Sequence, residues 1–336
     1  MNVAIVGGGI VGLTTALQLN SDIRNCHVNI FAANYDDVVS YTAAGLFRVG
    51  HSYAGPSEEI TKKWIKDSYE YYNNISNNYE AIHCGVKQSD AYMFANSSPS
   101  VVQNPLMESI VPLYRKVTDD ELNMVGKKWK YGSYFETLII QCKYHLPWAR
   151  NKLKEMGTKF MIKKLTTLKE LVDNYDLIIN CSGLGARELC NDKKVIPIRG
   201  QVERVQAPWI KTSFYGELDT YIIPGVDGTC TLGSTRNFES MRMEVCPHDV
   251  KSIRERCENL LPSLTKSVTL EYRVGLRPHR ENGVRVNIER ISNDHRKAIV
   301  VHNYGHGGYG VTTAPGTAKY AVELARDFHK SSSAKL

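Results

Sequence analysis

The decapeptide VAIVGGGIVG, residues 3–12, decides the first unit of the fold. Its opening residues, Val3 to Val6, form an apolar, β-branched run typical of a buried parallel strand, and an apolar helical pattern begins at Leu13. The glycines between them have GxGxxG spacing, which permits a tight turn, close approach of a pyrophosphate to the backbone, and close packing of helix on strand. The helix N-terminus supplies unpaired N–H groups to an anion. The stretch therefore predicts a dinucleotide-binding β-α-β unit.

One partner of such a unit is missing from its usual position. The second strand, Val28 to Phe31, is followed by Ala32, Ala33 and Asn34, where an acidic residue commonly binds the adenosine ribose. Two acidic residues, Asp36 and Asp37, come shortly afterwards. We therefore expect the ribose to be bound either from this loop or by backbone groups.

Length and composition describe an ordinary globular protein. The chain has 336 residues, of which 42% are hydrophobic and 23% charged, so two domains are possible. No apolar stretch approaches the length of a membrane span, and no basic region precedes the first strand, so we expect neither membrane insertion nor secretion. The +7 charge is dispersed without an aromatic-basic repeat, and it suits an anionic substrate or cofactor about as well as nucleic acid; we expect no nucleic-acid partner. The eight cysteines lack CxxC or metal-ligand spacing, so we expect reduced thiols and no metal.

The remaining elements predict two discontinuous domains. Helical patterns cover Ser57 to Tyr72, Pro147 to Met156 and Asp249 to Leu260, and buried parallel-type strands cover Lys159 to Ile162 and Tyr175 to Asn180. Segments between residues 198 and 280 alternate like antiparallel strands.

We predict an α/β fold with a Rossmann-like cofactor domain and a discontinuous, mainly antiparallel-sheet substrate domain. The first comprises residues 1–50, 146–198 and 281–336, and the second comprises residues 51–145 and 199–280. A site in the cleft between them is the natural expectation.

A second glycine-rich bend lies near the C-terminus. The residues His302 to Gly310 read HNYGHGGYG, and Thr312 follows just before an apolar helical run that reaches Phe328. Paired with the bend at residues 7–12, this loop predicts a long bound molecule held at both ends.

Eight stretches, in the right order along nearly the whole chain, resemble the D-amino-acid oxidase and D-aspartate oxidase family. They are GGGIVGLTTAL at 7–17, AAGL at 43–46, NCSGLGAREL at 180–189, IRGQV at 198–202, QAPW at 206–209, TYIIPG at 220–225, VGLRPHR at 274–280 and HNYGHGGYGVT at 302–312. The resemblance implies a flavoprotein oxidoreductase that holds FAD non-covalently and extended.

The residues that match the family's FAD contacts come from four places. They are Gly7, Gly9, Ile10, Val11 and Gly12 at the phosphate turn, Ala44, Gly45 and Leu46 beside the flavin, Ser182 and Gly183 at the second turn, and Gly307, Gly308, Tyr309, Gly310 and Thr312 at the pyrimidine edge. The resemblance also places Arg199 to Gln201 along this region. Ser40 and Thr42 replace a threonine-rich run of the family as candidates for hydroxyl contacts to the phosphates.

Substrate binding is implied by three further matches. Arg277 matches the arginine that pairs with the substrate α-carboxylate, a role that suits the rigid fork of a guanidinium. Tyr221 matches the tyrosine whose hydroxyl adds a bond to that carboxylate, and the Gly308 carbonyl is assigned to the amino group. In this arrangement a D-amino acid passes hydride from Cα directly to flavin N5 without a protein base, and His306 is interpreted as structural. The products are a 2-oxo acid, ammonium and, through dioxygen, hydrogen peroxide.

The preferred substrate is predicted from Arg236. The acidic branch of the family has Thr-Arg here to meet a distal carboxylate, so we expect D-aspartate and D-glutamate, bound by a buried arginine. Two departures count against this: no arginine lies between Lys211 and Tyr221, and the HGGYG loop lacks the serine usual near Gly308 in that branch. The alternatives are an oxidase of neutral or basic D-amino acids, a glycine or sarcosine oxidase, a nicotinamide dehydrogenase, and a non-enzymatic binding protein on an FAD fold.

The last three residues, Ala334, Lys335 and Leu336, approximate the Ser-Lys-Leu peroxisomal address. They follow a serine stretch that would leave them exposed. We expect binding to the peroxisomal import receptor and a location in the peroxisomal matrix.

Overall fold

The computed structural model describes residues 1–333 apart from 24, 51, 79, 80, 82, 127 and 294, and it describes side chains as far as residue 328. The predicted peroxisomal tripeptide, Ala334 to Leu336, lies outside the described residues. Two sheets with helices around them form the described part of the chain, and the predicted α/β class is confirmed.

The smaller sheet has six strands in the order β14-β15-β7-β1-β2-β6. All neighbours pair in parallel except β14, which is antiparallel to β15 at one edge. The central strands are apolar on both faces, since helices cover the sheet, and this explains the continuous apolar runs in the sequence. The strands are β1 (Asn2–Val6), β2 (His27–Ala32), β6 (Lys159–Ile162), β7 (Leu177–Asn180), β14 (Arg285–Ser292) and β15 (Lys297–Tyr304).

The larger sheet has nine strands and is antiparallel except where β3 and β9 pair. The order is β12-β8-β11-β10-β9-β3-β5-β4, and β13 pairs along β8. The strands are β3 (Val86–Ala95), β4 (Tyr114–Lys116), β5 (Tyr131–Ile140), β8 (Val195–Gln206), β9 (Ser213–Tyr215), β10 (Tyr221–Pro224), β11 (Thr229–Gly233), β12 (Asn237–Phe238) and β13 (Val268–Arg280).

In the described part of the chain, five long helices surround these sheets, and three short ones lie in connections. Helix α2 is capped by Ser57, whose hydroxyl accepts from the Ile60 N–H, and it packs along α8 through the bond from Tyr72 Oη to the Val311 carbonyl. The helices are α1 (Ile10–Asp22), α2 (Glu58–Ser76), α3 (Pro105–Glu108), α4 (Asp119–Leu122), α5 (Cys142–Glu155), α6 (Ala186–Leu189), α7 (Pro247–Leu260) and α8 (Gly310–Ser333).

The predicted start of one helix was wrong. Pro147 was interpreted as the first turn, but α5 begins at Cys142 and Pro147 lies inside it. Burial decides the outcome, because Cys142, His145 and Leu146 on the extra turn are fully buried, and this contact outweighs the hydrogen bond that the proline cannot make.

Both sheets draw on separate parts of the chain. The six-stranded sheet uses strands from residues 2–32, 159–180 and 285–304, and the larger sheet takes the strands between. Strand β8 runs through residue 198 without a break, so the element itself crosses that predicted domain boundary. The other boundaries stay predictions.

Candidate active site

The first glycine turn is closely packed in the way its spacing predicts. A Cβ at Gly7, where φ is +124°, would overlap the Cys181 carbonyl, and one at Gly12 would overlap the Gly7 carbonyl. Gly9 begins α1 with no side-chain cap. Ser40 Oγ lies beside this helix start and accepts from the Ile10 N–H at 3.1 Å. The turn therefore offers backbone N–H groups and one hydroxyl to an anion.

A second group of residues lies between the two glycine turns. Gly45 has φ +88° and closes against the Ile140 carbonyl, and Thr312 in the first turn of α8 donates to the Leu46 carbonyl at 3.4 Å. Ser182 follows β7, and its Oγ is buried with no protein partner among the described residues. A buried hydroxyl without a partner is costly, so this group fits a polar molecule bound across the carboxyl ends of the strands.

Strand β13 presents alternate residues on one face. Gly275, Arg277 and His279 project to the same side, since side chains alternate along a strand. Gly275 meets Thr42, and His279 forms an isolated bridge with His306 of the glycine loop. Of the two hydroxyls proposed for the phosphates, Ser40 bonds to the first glycine turn, and Thr42 meets Gly275 of β13.

The Arg277 guanidinium is held by neutral partners. Its Nη1 donates to the Thr235 carbonyl at 3.0 Å and its Nη2 to Ser234 Oγ at 2.8 Å. A side chain at Gly200 would overlap the guanidinium, so the plane lies flat on the backbone of β8. Among the described residues no carboxylate pairs with Arg277, which leaves a half-buried charge for an anion to neutralise.

Tyr221 lies next to this arginine. In the register of β10 and β11 it stands opposite Gly233, and its ring occupies the space a side chain at Gly233 would fill. Burial raises the pKa of Tyr221, while the Arg277 charge and a hydrogen bond with Ser234 oppose the shift. The hydroxyl stays protonated at neutral pH and can donate to an anion on Arg277.

The glycine loop closes over the same place. A Cβ at Gly308 would lie 3.3 Å from Arg277 Cδ, and Gly307, with φ +57°, packs on His279. Tyr309 Oη is 3.2 Å from Ser52 Oγ, and its ring meets Tyr53 edge-on at 5.7 Å. The loop therefore joins the Arg277 face to the segment that follows Leu46.

The two histidines of the loop are structural in this arrangement. His306 Nε2 is 3.0 Å from Thr317 Oγ1, and burial lowers the pKa of His306 to about 3. His302 Nε2 is 2.9 Å from a Glu289 oxygen, and burial lowers the pKa of His302 to about 4 despite that carboxylate. Both rings are neutral at pH 7; His306 bonds to α8, and His302 bonds to β14 and, through Nδ1, to Asn180 at the end of β7.

One expectation about an arginine was wrong, and another stays a prediction. Arg236 was expected to be buried, but its side chain is 49% exposed and its Nη2 donates to Asp219 Oδ1 at 2.7 Å, because it follows the end of β11. Arg199, expected along the cofactor region, bonds to Asp249 at 3.0 Å and to the carbonyls of residues 242 and 244, and its place beside the cofactor stays a prediction. Alternation along β8 turns Arg199 away from the face where Gly200 meets Arg277.

The structure brings Tyr221, Arg277 and Gly308 together, and it adds Ser234, which the sequence interpretation missed. Ser234 bonds to Arg277, and its carbonyl accepts from Arg256 at 2.8 Å. Its position between Gly233 and Thr235 was the available signal. In the described part of the chain, no trio of His, Cys, Asp or Glu is placed to hold a metal ion, and no helix is both long and apolar enough to cross a bilayer.

Comparison with known proteins gives consistent results. Residues 2–324 match the model of the DAO family, described as FAD dependent oxidoreductase. The chain is 34% identical to a D-aspartate oxidase of Homo sapiens over 97% of this chain and 94% of that protein, and 33% identical to a D-amino acid oxidase of Dugesia ryukyuensis over 97% and 98%. In fold it is similar to glycine oxidase from Geobacillus kaustophilus, with a TM-score of 0.78 at 17% identity over 97% and 94% of the chains.

The cofactor implied by this family fits the residues present. The crowded glycines at 7 and 12, the uncapped start of α1 and the buried Ser182 hydroxyl provide a backbone cradle and a polar contact for an extended dinucleotide. The predicted cofactor, FAD, is confirmed by the family match. The chain belongs to the DAO family of FAD-dependent oxidoreductases.

Proposed function

We propose that this protein is an oxidase of acidic D-amino acids, converting D-aspartate and D-glutamate to 2-oxo acids, ammonium and hydrogen peroxide. The observation that carries the amino-acid part is Arg277, a half-buried guanidinium bonded only to neutral protein groups and lying beside the Tyr221 hydroxyl. Such a site suits a carboxylate, which takes two parallel bonds from the fork and a third from the tyrosine.

The chain's own residues orient the substrate. Arg277 and Tyr221 hold the α-carboxylate, and the Gly308 carbonyl accepts from the amine, so only one enantiomer directs its Cα–H to the cofactor side. Bound FAD supplies the hydride acceptor for that Cα–H and the route by which dioxygen becomes hydrogen peroxide. With His306 and His302 neutral and bonded elsewhere, alignment in a dry site accounts for the catalysis without a protein base.

The FAD contacts proposed here follow the packing described above. The N–H groups at the start of α1 and Ser40 Oγ would hold the pyrophosphate, and Ser182 would supply a second polar contact. With FAD bound, the N–H groups of the glycine loop would take the reducing edge of the ring, and the Thr312 hydroxyl would join them by turning from its 3.4 Å bond to the Leu46 carbonyl; donors there favour the charge of the reduced form. Gly45, which has no side chain to intrude, and Leu46 would lie beside the ring.

The preference for acidic substrates rests on Arg236. It lies directly after Thr235, whose carbonyl holds Arg277, and together with burial it lowers the pKa of His279 on the substrate face. The similarity to the D-aspartate oxidase of Homo sapiens supports the same preference. The distal carboxylate of an acidic substrate can replace Asp219 as the ion-pair partner of Arg236, whereas a neutral substrate side chain leaves the Arg236–Asp219 pair intact.

A second candidate function is oxidation of neutral or basic D-amino acids. The pairing of Arg236 with Asp219 favours it, because the cation is already neutralised, and so does the similarity to the D-amino acid oxidase of Dugesia ryukyuensis.

A peroxide assay over D-aspartate, D-glutamate, D-alanine, N-methyl-D-aspartate and L-aspartate decides between the two. We expect higher kcat/KM for the acidic D-amino acids and none for the L-enantiomer. Arg236→Ala should reduce kcat/KM for D-aspartate by about tenfold or more, the value of one bond to a charged group, and change D-alanine little. Arg242→Ala is the matched control, an exposed arginine of the same segment. Equal losses on both substrates would contradict the acidic assignment.

We also propose that the tripeptide at residues 334–336 directs the protein to peroxisomes. A fluorescent protein carrying the last twelve residues should become punctate with a peroxisomal marker, and the same fusion without the tripeptide should stay diffuse. A diffuse signal from both would contradict the proposal.

A further inference from the structure

Arg48 is a second cation beside the substrate site. It follows Phe47, whose ring packs on Tyr69 and Tyr72 of α2. The Arg48 guanidinium carbon lies 4.8 Å from the centroid of the Tyr215 ring, and Nε is 3.3 Å from Met93 Sδ. The side chain is half-buried between these two groups.

The partners of Arg48 leave its charge uncompensated. Within the described residues no carboxylate forms an ion pair with it. Arg115 provides a contrast, because it lies over the Tyr134 ring at 4.6 Å in a similar way but also binds Glu121 at 2.7 Å. A half-buried guanidinium against an aromatic face and a thioether gains a cation–π contact but no counter-ion. It is therefore available to an anion that enters from outside the protein.

Tyr215 connects Arg48 to the substrate site. In the register of β9 and β10 it stands opposite Tyr221, and their ring centroids are 5.5 Å apart. The Tyr215 hydroxyl also lies within electrostatic range of Tyr309 and Asp219. Tyr215 thus lies between Tyr221 and the Arg48 guanidinium, with Tyr309 nearby.

The position also matches a gap in the sequence. No arginine lies between Lys211 and Tyr221, which is one of the two departures from the acidic branch named above. Arg48 brings a guanidinium onto Tyr215 of that segment from a different element, the chain just after Leu46.

We propose that Arg48 binds the distal carboxylate of the substrate and is a specificity-determining residue of this oxidase. The proposal rests on the proposed function and adds a second residue to it. Arg48 neutralises the distal carboxylate from the Tyr215 side, while Arg236 approaches from the end of β11. Arg48 thereby gives the acidic substrate a counter-ion. Unlike Arg236, it does not have to leave a protein carboxylate before it binds the substrate.

The test compares kcat/KM for D-aspartate and D-alanine in wild type, Arg48→Met, Arg48→Gln and Arg48→Lys. Methionine keeps an apolar stem beside Met93, so that variant is the one most compatible with the fold. We expect the ratio of the two values to fall tenfold or more in the Met and Gln variants, with flavin content unchanged, and to recover in part with lysine, which restores the charge without the fork. Arg115→Gln is the matched control and should leave the ratio unchanged.

Binding of malonate and of benzoate, followed by the flavin absorbance change, provides a second readout without turnover. Arg48→Met should weaken malonate at least tenfold more than benzoate. If wild type prefers D-aspartate and the Arg48 variants keep that preference, the Arg48 proposal is overturned and the proposed function stands. If wild type shows no preference for acidic substrates, the proposed function fails and this proposal fails with it.

Discussion

The two ends of the candidate substrate site are built differently. The end that receives the α-carboxylate lies on paired strands, where Gly200 and Gly233 fix the planes of Arg277 and Tyr221. The end that receives the substrate side chain consists of long side chains from loops, with Arg236 in an exposed ion pair and Arg48 on an aromatic ring. In the proposed binding mode, the group common to every amino acid meets a rigid surface, and the group that differs meets residues that can exchange partners.

The largest effect is expected at the rigid end. Arg277→Ala should reduce kcat/KM by about a thousandfold, since truncating one member of a desolvated charge pair costs on the order of 2–5 kcal/mol. Because the α-carboxylate is common to all substrates, the loss should be equal for D-aspartate and D-alanine. Steady-state peroxide assays on flavin-loaded protein measure kcat/KM for both substrates. A loss confined to one substrate would contradict the proposed assignment of Arg277 to the α-carboxylate.

A smaller effect is expected from the support of the glycine loop. His306 is neutral and buried in the folded state with a pKa of about 3, against an ordinary value of 6.5, so the unfolded state binds more protons below pH 6.5. Stability is therefore complete above pH 6.5 and is lost as the pH falls toward 3. His306→Gln keeps a polar atom for Thr317 and removes this titration. The slope of unfolding free energy against pH should become shallower by up to about 1.4 kcal/mol per pH unit between pH 6 and 4.

Denaturant titrations of the holoenzyme at each pH supply that measurement. His302 and His145, whose pKa values burial lowers to about 4, keep the remaining slope in the variant. An unchanged slope in His306→Gln would show that the loop is not held by a neutral histidine.

The smallest effect is expected at the adaptable end. Asp219→Asn removes the carboxylate that competes for Arg236, and an exposed ion pair is worth about 0.2–1 kcal/mol. KM for D-aspartate should therefore fall by up to about fivefold, with little change for D-alanine. A rise in KM for D-aspartate would mean that Asp219 holds Arg236 in the position that binds substrate and does not compete with the substrate for the guanidinium.

The same division explains what the sequence could predict. The strands at β1, β2, β6 and β7, and the grouping of Tyr221, Arg277 and Gly308, follow from local patterns and motif matches that strand register then brings together. The exposure of Arg236 and the position of Arg48 on Tyr215 depend on where loops end in space. No local spacing encodes those contacts, because their partners are 17 residues apart in one case and come from a distant strand in the other.

The position of Ser40 and the start of α5 also depend on tertiary packing that no local sequence pattern encodes. Ser40 was one of two candidate hydroxyls, and only the packing of the first turn shows which one reaches α1. Helix α5 begins five residues before Pro147 because tertiary burial of its first turn outweighs the rule that places proline at a helix start.

Gly200 has a consequence for natural variation in this chain. No side chain fits between the β8 backbone and the Arg277 guanidinium, so all 19 replacements force the arginine out of its plane. In a saturation mutagenesis screen, position 200 should therefore score like an active-site residue, although it has no side chain to offer a ligand. Harmful alleles in a population should include changes at this glycine, and their carriers should retain folded, flavin-containing protein that does not turn over.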